Sequence, residues 1–449
     1  MDMRRRRWVG AVLVSVVALV VAACGIDADS VATSGPVSVE SGPVQPQDTQ
    51  IDTPTTRPTT TIPAITEDGL QVVAADLQEF WADTFPDLFG GEYEPVADNR
   101  IIAAVPGVEI PPCEGERISY DDVVGNAFAA NCSEGPLVVW DEEQLITELD
   151  RRFGPVAAAI VLAHEWGHIA QFQGGVVDLP TVISEQQADC FAGSWLADTL
   201  DDPDDLDELE NANPLDASLS SIIEFRDAAG SDPNDSRAHG SGFDRVRALQ
   251  EGFDRGAAFC AGYAENFPSL TEIPFTSPQD AATGGNLPLD ELVDLAVADL
   301  NIFYGREVDG FEGATAEDVL ADEETVALLQ DLSDKIGDAA AGLVLGMVWA
   351  TFAQRQVGAD EDRNEVGQVL QQACLSGGWL RTLLEKDDAD TERQLELSPG
   401  DLDESILALI ELAEVEEGFQ DAEDSGVFEL VADLRQGVTE GFDSCGLRR

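Results

Sequence analysis

The sequence predicts an α+β chain that is mostly helical. A small antiparallel sheet precedes one central helix, and a second, mainly helical half lacks the sheet. Three observations carry this expectation. Apolar residues recur at helical spacing over much of the chain. Residues 100–140 instead carry short apolar runs cut by Pro111, Pro112, Gly135 and Pro136. From about Leu287 the chain repeats segments of its own first half.

The N-terminus reads as a targeting segment. Arg4 to Arg7 are basic, and Val9 to Val21 form an apolar run too short for a comfortable membrane span. The run ends Val21-Ala22-Ala23-Cys24, which resembles a bacterial lipobox. On that reading residues 1–23 are the signal peptide and Cys24 is lipidated. The lipid would anchor the protein on the extracytoplasmic face of a membrane in the bacterial cell envelope. Ordinary cleavage after Ala23 is the alternative. Residues 24–65, rich in Ser, Thr and Pro, read as a disordered tether.

Order is expected from residue 66. Leu70, Val73, Leu77, Phe80 and Trp81 have the spacing of an amphipathic helix over Gly69 to Phe85. Pro136 to Asp141 reads as a strand, and Asp141-Glu142-Glu143 places acids at the positive end of a new helix. The apolar run Ala157 to Ala163 then enters His164-Glu165-Trp166-Gly167-His168. Pro155 suits the first turn of this helix. On a helix, His164 and His168 project from one face and can grip one metal ion. Glu165, one residue round, stands beside the open position of the metal rather than in its ligand set. Downstream, Glu185 and Asp189 are again four apart. Glu185 can complete a two-His, one-Glu site for a single Zn2+. Asp189 can accept the second ring N–H of a ligand histidine. Residues 201–235, acidic and broken by Pro203, Pro214 and Pro233, read as a solvated insertion whose carboxylate spacing fits no EF-hand. Asp244 to Cys260 reads as a further helix.

The second half keeps packing residues and drops the chemistry. Ala341 to Gln354 echoes the central helix, with Met347, Val348 and Thr351 where His164, Glu165 and His168 stand. Gln371 to Leu380 echoes the segment around Cys190, and Gly437 to Cys445 echoes Gly252 to Cys260. Met and Val supply no zinc ligand set, so this half reads as degenerate. Its role is packing against the first half or shaping a substrate cleft. Domains are therefore expected at 66–275 and 285–449. An exported chain meets oxidising conditions, so the six cysteines after Cys24 are expected to pair, and six allow 15 connectivities. The repeat makes Cys190 equivalent to Cys374 and Cys260 to Cys445. It predicts Cys190–Cys260 and Cys374–Cys445, leaving Cys113–Cys132.

His164-Glu165-x-x-His168 followed by Glu185-x-x-x-Asp189 resembles the signature of the gluzincins, the thermolysin-like zinc peptidases. The stretch Glu185 to Gly193 resembles more narrowly the bacterial putative neutral zinc metallopeptidase family. The resemblance covers roughly residues 66 to 265. It implies a gluzincin-like domain and a peptide or protein substrate. It implies that Asn126, Ala127, Phe128 and Ala129 form the edge strand that pairs with substrate, and that Ala238-His239-Gly240 matches a downstream family segment. His239 is thereby the candidate oxyanion donor, against a plain surface-loop histidine, with Arg245 or Tyr263 as alternatives. The expected activity is hydrolysis of peptide bonds with Glu165 as general base. Amidase action on cell-wall peptides would use the same site. The alternative from another class is an envelope-anchored binding or scaffold protein that retains zinc without turnover. The net charge of −64, from 24 basic and 88 acidic residues, argues against nucleic acid as a partner, because neutralising phosphates needs clustered Lys and Arg.

Overall fold

The computed structural model describes residues 67–447, apart from 177–178, 202–212, 272, 276, 360–364, 387–391 and 416–425. Cys24, the signal peptide and the tether lie outside the described residues. The chain is mostly helical with one three-stranded sheet, an α+β architecture. No described helix is long and apolar enough to cross a membrane.

Helix α1 (Glu67–Phe89) leads into the strands β1 (Ile101–Ala104), β2 (Ala127–Cys132) and β3 (Gly135–Asp141). The spatial order is β1-β3-β2. The tight turn at Ser133-Glu134, closed by Gly135 at φ 110°, makes β2 and β3 an antiparallel hairpin. The expected all-antiparallel sheet is corrected at β1, which pairs with β3 in parallel. The chain between β1 and β2 crosses over, and the Cys113–Cys132 disulfide staples that crossover to the end of β2. Side chains alternate along β3. Val138 and Trp140 enter the main core, while Leu137 and Val139 face a small satellite core with Ile110 and Val123.

Asp141 ends the sheet, and its side chain accepts from the amides of Glu143 and Gln144. A π-helical turn, Glu142–Ile146, runs into α2 (Thr147–Phe153). Helix α3 (Pro155–Gly174) carries the two histidines, with Pro155 at its start and Gly175 closing it in the left-handed region at φ 67°. It is buried almost all round, packed by α1, α2, β2 and the next helices α4 (Thr181–Asp201) and α5 (Pro214–Glu224). The expected solvated insertion is thus corrected over its described part. Leu219, Ile222 and Ile223 of α5 are buried, because its apolar face fits against α3 and only the flanking sequence is acidic. The helix expected over Asp244 to Cys260 is also two: α6 (Gly242–Arg255) and α7 (Ala257–Ala261), divided at Gly256, whose φ of 76° leaves the helical region.

The second half comprises α8 (Leu289–Glu307), α9 (Glu323–Lys335), α10 (Asp338–Val357), α11 (Glu365–Leu384), α12 (Asp401–Val415) and α13 (Val427–Glu440). Contacts in the two halves correspond. Trp195 Nε1 donates to Asp76 at 2.6 Å, and Trp379 Nε1 to Asp299 at 2.7 Å. Gln187 donates to the Cys260 carbonyl at 2.9 Å, and Gln371 to that of Cys445 at 2.9 Å. Disulfides Cys190–Cys260 and Cys374–Cys445 staple the same pairs of segments. One hydrophobic cluster takes in residues of both halves.

The tightest packing is a backbone-to-backbone helix crossing. A Cβ at Gly193 of α4 would run into the Leu249 carbonyl of α6, and one at Gly252 would run into the Cys190 carbonyl. Gly377 and Gly437 make the same approach between α11 and α13. Gly252→Ala is therefore expected to destabilise the protein by about 1–3 kcal/mol or more through overpacking. Gly262→Ala, which meets open space, should stay within about 0.5 kcal/mol. Urea unfolding of both variants checks the contrast.

Candidate metal centre

Helices α3 and α4 approach closely at Gly167, where a Cβ would lie 3.0 Å from the Ala188 Cα. That approach sets Glu185 opposite the two histidines. Nε2 of His164 lies 3.2 Å from Glu185 Oε2, and Nε2 of His168 lies 3.5 Å from Glu185 Oε1. The two Nε2 atoms are 3.2 Å apart. One ligand atom from each of the three residues falls within 4.8 Å of the others.

The far ring nitrogens are held separately. His164 Nδ1 lies 2.7 Å from Asp189 Oδ1. Asp189, fully buried, also receives Nε and Nη2 of Arg245 from α6, each at 2.8 Å. The third arm of Arg245, Nη1, donates to the Phe225 carbonyl at 2.7 Å. His168 Nδ1 lies 2.8 Å from Gln171 Oε1. Gln171 in turn donates to the Ser184 carbonyl at 2.8 Å and to Gln187 Oε1 at 2.9 Å. Both imidazoles are thus oriented by their Nδ1 atoms and present Nε2 to one point.

Electrostatics follow from burial and these partners. Burial disfavours a charged His164, but the Asp189 charge and hydrogen bond, with Glu185, outweigh it and lift the imidazole to about 10. His168 is also raised, its burial outweighed by Glu185. Burial would raise Glu185; hydrogen bonds from both histidines reverse this and hold it well below the usual carboxylate value. Burial pushes Glu165 up, against the opposing pull of the histidines and a hydrogen bond from the Ala129 backbone.

A small cavity of about 50 Å³ opens beside His164. Asn126, Ala127, His164, Glu165, His239 and Arg245 all line it. Of the expected edge strand, Asn126 and Ala127 reach the cavity, and Ala129 touches Glu165 through its backbone. The Phe128 side chain turns away into the satellite core, as strand alternation requires. His239 stands on an exposed loop held by Asp227, which accepts the His239 and Gly240 amides at 2.9 and 2.8 Å. The alternatives to His239 are already engaged: Arg245 with Asp189, and the Tyr263 hydroxyl with Glu251. Sequence reasoning misses Gln171, Gln187 and Asp227. Gln171 alone leaves a trace, standing three residues after His168 on the same helix face.

Asp189→Ala would leave Arg245 buried without its partner. It is expected to lower the unfolding free energy by about 3–5 kcal/mol, the cost of breaking a buried ion pair from one side. Denaturant unfolding of the chelator-treated variant checks this. Compared with protein-family models, curated proteins and solved structures, the chain finds no match.

Proposed function

We propose that the chain is a zinc-dependent peptidase of the gluzincin type, exported and lipid-anchored at Cys24, with a second half that is a degenerate copy of the first. One observation carries the reading: two imidazole Nε2 atoms and a carboxylate converge on one point while both Nδ1 atoms are tied elsewhere. This donor set, nitrogen and oxygen with a carboxylate bonded to one imidazole behind it, fits zinc. His164, His168 and Glu185 would hold one ion. A bound zinc supplies Lewis acidity and an acidified water.

The remaining roles fall to protein groups. Glu165 lines the cavity beside His164, and its raised affinity for protons suits a group that takes a proton from water and returns it to a leaving amine. Asp189 and Gln171 keep the imidazoles in one tautomer and orientation. Strand β2 is an edge strand in contact with α3, and its unpaired edge would offer backbone for an extended peptide. His239 is the exposed donor on the cavity rim. The corresponding contacts of the two halves support internal duplication, and Met347, Val348 and Thr351 in α10 remove zinc chemistry from the copy. Three disulfides suit an oxidising compartment.

Two experiments test the reading. Glu165→Gln should keep one zinc per chain and lower kcat on a peptide library about 10²–10⁴-fold, the usual worth of a general base. Glu185→Ala should lose zinc. Equal turnover in Glu165→Gln would remove Glu165 as the general base. Zinc bound without any turnover in the wild-type protein would favour the scaffold, and a folded wild-type protein without zinc affinity would remove the zinc reading itself. The second test is pH. Zinc must displace the protons that His164 and His168 hold unusually tightly, so apparent affinity should rise with pH, through neutrality and up to about 10. Calorimetry in buffers of different ionisation enthalpy measures the protons released.

A further inference from the structure

A second group of carboxylates lies where two helices of the second half begin. Asp338 opens α10, and Asp401 and Glu404 open α12. One oxygen from each falls within 4.8 Å of the others. Asp338 and Asp401 are buried, at 5% and 6% exposure. Backbone amides fix the group: Leu287 N donates to Asp338 Oδ2 at 2.9 Å, Ser398 N to Asp401 Oδ2 at 2.8 Å, and Ala339 N to Glu404 Oε2 at 3.0 Å.

Capping does not account for all of it. The other oxygen of Asp338, Oδ1, is enclosed and has no hydrogen-bond donor. A buried oxygen left without a partner costs about 1–3 kcal/mol, more if charged. Among the described residues, no lysine or arginine forms an ion pair with any of the three. Arg226, whose charge opposes the rise at Glu404, sits 3.9 Å from Asp403 instead. Two helix N-termini offer roughly half a positive charge each, against three carboxylates. Burial raises all three; repulsion from Asp280 adds to it at Asp338, from Asp338 and Glu404 at Asp401, and from Asp338 and Asp403 at Glu404, which is pushed up to about 7.

We propose that Asp338, Asp401 and Glu404 hold a calcium ion that ties the start of α10 to the start of α12, with Asp338 Oδ1 as a ligand. The donors are all hard oxygens, which suits calcium over zinc or copper. Magnesium prefers to keep several waters and strict octahedral geometry, which a largely enclosed carboxylate cluster does not favour.

The test uses the full chain, stripped with chelator and dialysed against radioactive calcium at physiological ionic strength. Excess magnesium suppresses diffuse binding by the acidic surface. One calcium per chain should be retained, with a higher Tm. Asp338→Asn and Glu404→Gln should each lose both the ion and the calcium-dependent rise in Tm. No retained calcium in the folded wild-type protein overturns the proposal and leaves carboxylates that share protons. Retention in both variants places the ion elsewhere and overturns it equally. If the variants do not fold, anomalous scattering from wild-type crystals grown with calcium decides, by an ion between the three carboxylates or none there. The readout involves neither His164 nor Glu185, so it stands apart from the zinc reading.

Discussion

A single enclosed carboxylate, Asp189, sets the geometry of the first half. A buried charge survives only when paired and hydrogen-bonded. Arg245 supplies the pairing through two parallel bonds, which leaves Asp189 ionised and able to bond His164 Nδ1. Arg245 can reach it only because α4 and α6 cross at backbone contact through Gly193 and Gly252. The next residue after Asp189, Cys190, is bonded to Cys260 at the end of α7. The crossing, the disulfide and the ion pair therefore constrain the same few residues. Their joint consequence is an imidazole whose Nε2 faces Glu185 and the Nε2 of His168.

What the sequence made legible is what repeats with a fixed period. His164 and His168 lie four apart, as do Glu185 and Asp189, so any helix puts each pair on one face. The cysteine pairs were legible because sequence segments around Cys374 and Cys445 echo those around Cys190 and Cys260, and all three pairs form. Features that depend on long-range packing were hidden. The parallel pairing of β1 with β3 is decided by a crossover whose length gives no hint of direction. The burial of α5 was masked by its acidic flanks, although Leu219, Ile222 and Ile223 already had helical spacing. Gln171 and Gln187 carry no mark of burial in the sequence. They are in fact buried, because an amide can donate and accept at once and so joins His168 to the end of α7.

The second half meets the first through a few named contacts. Helix α10, which carries Met347, Val348 and Thr351, packs against α8, α9, α11 and α12. The joint to the first half is made by other helices. Asp403 of α12, buried, accepts the amides of Gly242 and Phe243 at 2.9 and 2.8 Å. These are the first residues of α6, whose free amides and positive end favour an anion there. From α13, Arg435 donates to Gln250 at 2.8 Å, and the Phe428 carbonyl accepts from Gln250 at 2.7 Å. Both ends of this joint grip α6, the helix that carries Arg245. Met347, Val348 and Thr351 of α10 take no part in these contacts with α6. Removing α12 and α13, by contrast, would expose buried amides at the start of α6 and loosen the arginine on which Asp189, and through it His164, depends. Packing in the second half thereby bears on the alignment of His164 with Glu185 in the first.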